Sequence, residues 1–127
     1  MSNVSRTPST ATLEGVGKPR NPGERLIVAL DLPAREPALA LVDRLGEEVL
    51  WYKVGMELFY AEGAPFLEEL HRRRKRIFLD LKLHDIPNTM AMAVRSLARW
   101  RIGMTTVHVP AGAEALSAVA EAARESD

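Results

Sequence analysis

The sequence of this 127-residue chain predicts an α/β fold of the (β/α)8 TIM-barrel type, with only the first four βα units present. Short apolar runs alternate with longer amphipathic stretches about every 25 residues, which is typical of parallel strands joined by helical crossovers. Polar side chains stand where each apolar run ends, as they do at the catalytic face of such a barrel. A complete barrel has about 250 residues, so the chain corresponds to roughly half of one.

Composition divides the chain into two parts and excludes several classes of function. Residues 1–24 hold Ser, Thr, Pro and Gly with few large apolar side chains, which predicts a flexible leader before a domain over residues 25–127. The 17 Lys and Arg balance the 17 Asp and Glu, and no apolar run is long enough to span a membrane. With no cysteine, disulfides and thiolate metal sites are excluded. We expect a cytoplasmic protein that binds no nucleic acid and no membrane.

The first two units follow the leader. The run "RLIVALDLP" predicts a strand buried on both faces, which Pro33 ends. Residues 36–46 predict a helix, with Pro37 in its first turn, apolar residues at positions 38, 41, 42 and 45, and Gly46 as its stop signal. "VLWYKVG" then predicts a second strand, and "APFLEELHRRR" predicts a second helix.

The third and fourth units repeat this pattern. "RIFLDLKL" predicts the third strand, and "NTMAMAVRSLARW" predicts a helix that Asn88 or Thr89 caps after Pro87 has kept the chain out of helix. "MTTVHVP" and "GAEALSAVAEAARE" predict the last strand and helix.

Charged residues mark the carboxyl ends of the predicted strands. Asp31 ends the first strand, Lys53 the second, and Asp80 and Lys82 the third, while His108 lies near the end of the fourth. Because side chains alternate between the two faces of a strand, Asp80 and Lys82 should share one face and the leucines around them the other. Lys53 should face the same point, which gives a row of alternating sign that offsets part of the desolvation of each charge.

Three segments resemble the orotidine 5'-phosphate decarboxylase family: "IVALDLP", "WYKVGMELF" and "LDLKLHDIPNT". The third matches the family signature D-x-K-x-x-D-I-P-N-T, and the resemblance covers residues 25 to about 125. It implies decarboxylation of orotidine 5'-phosphate to UMP in de novo pyrimidine biosynthesis. It also implies a homodimer with its sites at the interface, which uses neither a metal nor an organic cofactor.

The resemblance also implies a role for each matching residue. Lys82 would donate a proton to C6 of the pyrimidine, and Asp80 would lie against the departing carboxylate. Asp31 and Lys53 would bind ribose hydroxyls and hold the charged row in place. The residues contributed to the neighbouring subunit's site would be Asp85, which lies beyond the third strand, Ile86 and Thr89. Lys53 and Asp85 would join Lys82 and Asp80 as catalytic residues.

Alternative functions remain open. Magnesium-dependent enzymes of the same superfamily, keto-gulonate phosphate decarboxylase and hexulose phosphate synthase, share the D-x-K-x-x-D strand. Their second strand gives the metal a glutamate where this chain has Lys53, and an ammonium group disfavours Mg²⁺. Asp80 and Lys82 could also form a purely structural ion pair. Finally, strands five to eight carry the family's phosphate-binding arginine and its pyrimidine-contacting serine, so we expect the chain alone to be an inactive barrel fragment.

Overall fold

The computed structural model describes residues 21–126. A 3-10 turn at Pro22–Arg25 precedes a regular alternation of strands and helices. The strands are β1 (Ile27–Ala29), β2 (Trp51–Val54), β3 (Arg76–Leu83) and β4 (Met104–Val107). The helices are α1 (Arg35–Leu45), α2 (Met56–Arg72), α3 (Pro87–Ala98) and α4 (Ala113–Arg124). Residues 1–20 of the predicted leader lie outside the described residues, so the leader stays a prediction.

The four strands form one parallel sheet in the order β1-β2-β3-β4. Val28 pairs with Tyr52, and Tyr52 pairs with Ile77, so the strands are in a continuous register across the sheet. One helix follows each strand along the chain. This is the arrangement of four successive βα units and confirms the predicted fold class.

The hydrophobic core lies between one face of the sheet and the helices. Alternate residues of the two central strands are fully buried there: Tyr52, Val54, Ile77 and Leu79. The helical side chains buried in the same core include Ala38, Val42, Leu58, Phe66, Leu67 and Leu70. Burying one such apolar side chain contributes about 1.5–3 kcal/mol. The other face of the sheet is thereby left to carry the polar groups at the ends of the strands.

Strand β1 is shorter and more exposed than the sequence predicts. It comprises three residues, of which Ile27 and Ala29 are exposed, so the expectation of a strand buried on both faces was wrong. The reason is its position, because β1 pairs only with β2 and forms an edge of the sheet that the structure describes. Leu30, directly after the strand, continues the ladder by donating to the Lys53 carbonyl at 2.9 Å.

Helix α2 begins earlier than the sequence predicts. It already starts at Met56 and includes a non-helical step at Gly63, where φ is 65° and ψ is −161°. Glycine adopts this conformation without a Cβ clash, and Pro65 then lies in the first turn of the continuing helix, where it is tolerated. Gly63 and Pro65 therefore mark a kink between two helical segments of α2, and the second segment is the one that the sequence predicts.

The start of helix α3 also corrects the prediction. Ile86, with an extended backbone, is the N-cap residue and Pro87 is the first helical residue, so neither Asn88 nor Thr89 caps the helix. Proline suits this position because its φ is already helical and the first turn needs no N–H donor. Helix α1, by contrast, ends as predicted, with Gly46 at a φ of 54° as its C-cap.

None of the helices within residues 21–126 combines the length and apolar character that crossing a membrane requires.

The close approach of β4 to Trp51 predicts the effect of a single methyl group. A Cβ added at Gly103 would lie 2.8 Å from Cζ3 of the buried Trp51 ring, so Gly103→Ala should lower the free energy of unfolding by about 1–3 kcal/mol. Urea denaturation followed by far-UV circular dichroism measures this change. Gly55→Ala is the matched control, since the nearest side-chain atom would be 3.9 Å away, and equal losses in the two variants would contradict the packing argument.

Candidate active site

Four charged side chains meet at the carboxyl edge of the sheet, and we call them the charged row. Register explains their meeting. Lys53 pairs with Ala29 of β1 and with Phe78 of β3. Asp31, two residues after Ala29, and Asp80, two residues after Phe78, therefore lie on the same face of the sheet as Lys53. The members of the charged row are Asp31, Lys53, Asp80 and Lys82.

The charges in this row alternate in sign. The Lys53 ammonium lies 4.0 Å from Oδ1 of Asp31 and 3.6 Å from Oδ2 of Asp80. Lys82 donates a hydrogen bond of 2.9 Å from Nζ to the same Oδ2 of Asp80. Each interior member therefore has an opposite charge on both sides, which offsets part of the cost of removing it from water.

Asp80 is the buried centre of the row. Its side chain is only 9% exposed, whereas the side chain of Lys82 is 47% exposed and that of Asp31 is 71% exposed. Its second carboxylate oxygen, Oδ1, accepts a hydrogen bond of 2.6 Å from the Thr106 hydroxyl on β4. Both oxygens of the buried carboxylate are therefore satisfied.

These contacts lower the pKa of the Asp80 carboxyl below its ordinary value. The largest cause is the hydrogen bond from Thr106. Burial acts in the opposite direction, while the hydrogen bond from Lys82 and the positive charges of Lys82 and Lys53 lower the pKa further. The carboxyl is therefore an anion at neutral pH, held between two ammonium groups.

The alternation predicted along β3 breaks after Asp80. Lys82 has a positive φ of 52°, and the five residues from Leu79 to Leu83 lie opposite only the three residues from Thr105 to Val107 of β4. This bulge makes simple alternation the wrong description of β3 at this point, although it still brings the Lys82 ammonium to Asp80. A bulge re-aims the side chains next to it, and bulges are frequent beside active sites.

Thr106 is the residue of this site that the sequence reasoning missed. Besides donating to Asp80, its hydroxyl accepts the Lys82 backbone N–H at 2.9 Å. The available signal was a hydroxyl near the carboxyl end of an otherwise apolar strand. That signal alone does not distinguish Thr106 from Thr105, whose hydroxyl donates to the Leu79 carbonyl instead.

The other predicted site residues stand apart from the charged row. Asp85 lies in the loop before α3, where its Oδ1 accepts the Ile86 N–H at 2.7 Å. Ile86 is 65% exposed and Thr89 is also exposed, in the first turn of α3. Within residues 21–126, no hydrogen bond or ion pair joins these three residues to the row.

The described residues contain no group of three or more His, Asp or Glu arranged to hold a metal ion. The rings of His84, two residues after Lys82, and His108 lie 5.3 Å apart between centroids, and both residues are exposed.

Comparisons of the sequence with known proteins all identify the same family. The model of the orotidine 5'-phosphate decarboxylase / HUMPS family matches residues 24–127. The chain is 51% identical over 102 residues to the orotidine 5'-phosphate decarboxylase of a Nostoc species, covering 80% of this chain and 42% of that protein. It is 53% identical to the protein of that name from Alkalilimnicola ehrlichii, covering 80% and 43%. The chain thus spans less than half the length of these relatives.

Solved structures agree with the sequence comparison. Orotidine 5'-phosphate decarboxylase from Lactobacillus acidophilus superimposes with a TM-score of 0.70 and 40% identity, over 76% of this chain and 44% of that one. The orotidine 5'-monophosphate decarboxylase from Methanocaldococcus jannaschii, solved in complex with the inhibitor BMP, gives 0.72 and 28% identity, over 79% and 47%. Sequence, fold and solved structures together show that this chain belongs to the orotidine 5'-phosphate decarboxylase / HUMPS family.

Proposed function

We propose that this chain supplies the reacting end of a site that decarboxylates orotidine 5'-phosphate to UMP, as a cytoplasmic carboxy-lyase of pyrimidine biosynthesis. The observation that carries the proposal is the charged row, in which the Lys82 ammonium lies 2.9 Å from the buried Asp80 carboxylate. Relatives that are 51% and 53% identical to it over 102 residues are named for this reaction.

In the proposed reaction the bond between C6 and the carboxylate breaks, CO₂ leaves, and the electron pair stays on C6. No carbonyl is conjugated with this carbanion to accept the charge, so the uncatalysed barrier is very high. The Lys82 ammonium stabilises the developing charge and transfers its proton to C6, and solvent then reprotonates the amine. The Lys82 ammonium does not have to be reoriented when the charge develops, because Asp80 already holds it in position.

Asp80 has a second proposed effect, on the substrate carboxylate. Two like charges about 4 Å apart repel by about 4 kcal/mol at an effective dielectric constant of about 20. This repulsion disappears as neutral CO₂ leaves, while the attraction between Asp80 and Lys82 persists until the proton moves. The low pKa of Asp80 supports this role, because the carboxyl keeps its charge at neutral pH.

The outer end of the row suits the sugar. Asp31 is the most exposed member, and Lys53 reaches from it to Asp80. We propose that Asp31 and Lys53 bind the ribose hydroxyls, since a carboxylate accepts and an ammonium donates the hydrogen bonds that hydroxyls form. Lys53 also places its positive charge between the two carboxylates of the row.

We propose that the exposed loop residues Asp85, Ile86 and Thr89 serve the site of a second copy in a homodimer. Their exposure supports this, because the described chain offers an apolar Ile86 side chain and a carboxylate beside it without burying either.

Lys53 argues against the magnesium-dependent chemistry of the sister enzymes. Its ammonium lies within 4.0 Å of Asp31 and 3.6 Å of Asp80, the carboxylates that a metal in this site would use. Since Mg²⁺ prefers oxygen ligands with octahedral geometry, a fixed cation between them competes with the ion. We therefore propose a reaction without metal or organic cofactor.

A chimera tests the proposed role of Lys82. Residues 24–127 would replace the matching segment of the Nostoc relative, and decarboxylation would be followed by the loss of orotidine 5'-phosphate absorbance. We expect turnover by the chimera and a loss of at least about 10³-fold in Lys82→Ala, because the charge stabilisation and the proton donor disappear together. Arg95→Ala, which removes an exposed ion pair with Glu125 and a hydrogen bond to the Met92 sulfur, both outside the charged row, is the control and should keep its activity. Full activity in Lys82→Ala would rule out the mechanism.

The polypeptide of residues 1–127 by itself should turn over little or no substrate. The Lys82 and Asp31 side chains of the row are open to solvent, and water weakens the electrostatic stabilisation on which the reaction depends. The same absorbance assay on the purified polypeptide measures this. Turnover near that of the chimera, abolished by Lys82→Ala, would show the expectation to be wrong.

Chelation of metal ions distinguishes the proposed metal-free decarboxylation from the magnesium-dependent reaction of the sister enzymes. Incubation of the chimera with excess EDTA followed by desalting should leave the decarboxylation rate within about twofold, because the proposed charge stabilisation comes from Lys82 rather than from an ion. A loss of activity that added Mg²⁺ restores would instead favour the sister enzymes' metal-dependent reaction.

A further inference from the structure

We propose that Thr106 is a positioning residue of this site, whose single hydroxyl holds both the Asp80 carboxylate and the backbone of Lys82 in their working orientations. The catalytic consequence of this inference rests on the proposed function, whereas the positioning itself is a property of the folded chain.

The first contact sets the rotation of the carboxylate. Thr106 donates to Oδ1 of Asp80 at 2.6 Å, while Oδ2 of Asp80 receives Lys82 at 2.9 Å and lies 3.6 Å from Lys53. The terminal torsion of an aspartate is otherwise soft and roughly two-fold. Pinning Oδ1 to β4 therefore directs Oδ2 at the two ammonium groups.

The second contact supports the bulge in β3. Lys82 adopts a left-handed backbone conformation, which is unfavourable for a residue with a side chain, and the register shift takes it out of the regular ladder with β4. Its N–H instead donates to the Thr106 hydroxyl at 2.9 Å. The hydroxyl thus occupies the place of a backbone acceptor and keeps Lys82 aimed at Asp80.

Both contacts depend on the same hydroxyl, which acts as a donor to one group and as an acceptor from the other. A hydroxyl donates one hydrogen bond and accepts others, so it joins a carboxylate to an N–H, which a valine of the same shape cannot do. Thr105 offers a matched comparison on the same strand, because its hydroxyl donates to the Leu79 carbonyl rather than to Asp80.

The charged groups around Asp80 determine the direction of the expected change. Lys53 on β2 and Lys82 on β3 face the carboxylate, Asp31 reaches it through Lys53, and Thr106 is its partner on β4. Since the Thr106 hydrogen bond favours the charged form, its loss should raise the pKa of Asp80.

The test is the titration of the Asp80 side-chain carboxyl by ¹³C NMR in the full 127-residue chain, with Asp80→Asn to assign the signal. Relative to the unmutated chain, we expect the Asp80 midpoint to shift upward in Thr106→Val, to stay close to its original value in Thr106→Ser, and not to shift in Thr105→Val. The Lys82 amide resonance should move in Thr106→Val and stay in Thr105→Val. A variant that merely loosened the fold would not be rescued by serine.

An unchanged Asp80 midpoint in Thr106→Val, or equal shifts in Thr105→Val, would overturn the inference. If Thr106→Val does not fold, Thr106→Ala replaces it under the same criteria. In the chimera, Thr106→Val should lower kcat at least 10-fold with little change in KM, and Thr106→Ser should restore it. Absence of turnover in the unmutated chimera would count against the proposed function, whereas the NMR titration tests the positioning by Thr106 independently.

Discussion

The buried carboxylate of Asp80 is the constraint on which the candidate site depends. A charge removed from water costs several kcal/mol unless opposite charges and hydrogen bonds surround it. Asp80 meets this requirement with Lys53 from β2, Lys82 from its own strand and Thr106 from β4. Three neighbouring strands must therefore be in register before the charge is tolerated, so the stability of this region and the geometry of the site have the same origin.

The parallel sheet keeps the three strands in register because one of its faces packs against the helices while the other carries the charged side chains. On one face, fully buried side chains such as Tyr52 and Leu79 pack against the helices and hold the strands in place. On the other, the alternate positions deliver Lys53 and Asp80 to one edge. Parallel strands all end at the same edge, so polar residues distant in sequence converge there without long loops.

Position 53 distinguishes the proposed reaction from its magnesium-dependent alternative. A carboxylate from the second strand would complete a set of oxygen ligands for a divalent ion, whereas Lys53 places an ammonium between Asp31 and Asp80. The proposed site therefore replaces a metal's charge with two lysines, of which Lys82 can also deliver a proton. In either case a positive charge stabilises the developing anion, and only its source differs, a lysine or a metal ion. Changes of this kind allow one fold to support different reactions.

The sequence by itself determined the fold class, the order of the four units and the members of the charged row, because hydrophobic periodicity and the charged residues at the strand ends are local properties of the chain. It also supplied the family signature around Asp80. Only the tertiary structure decided the exposure of β1, the bulge at Lys82 and the part played by Thr106. These depend on which strand lies beside which and in what register: the Thr106 hydroxyl and the Asp80 carboxylate are 26 residues apart along the chain. No local pattern encodes such a hydrogen bond, since it exists only once β3 and β4 have paired.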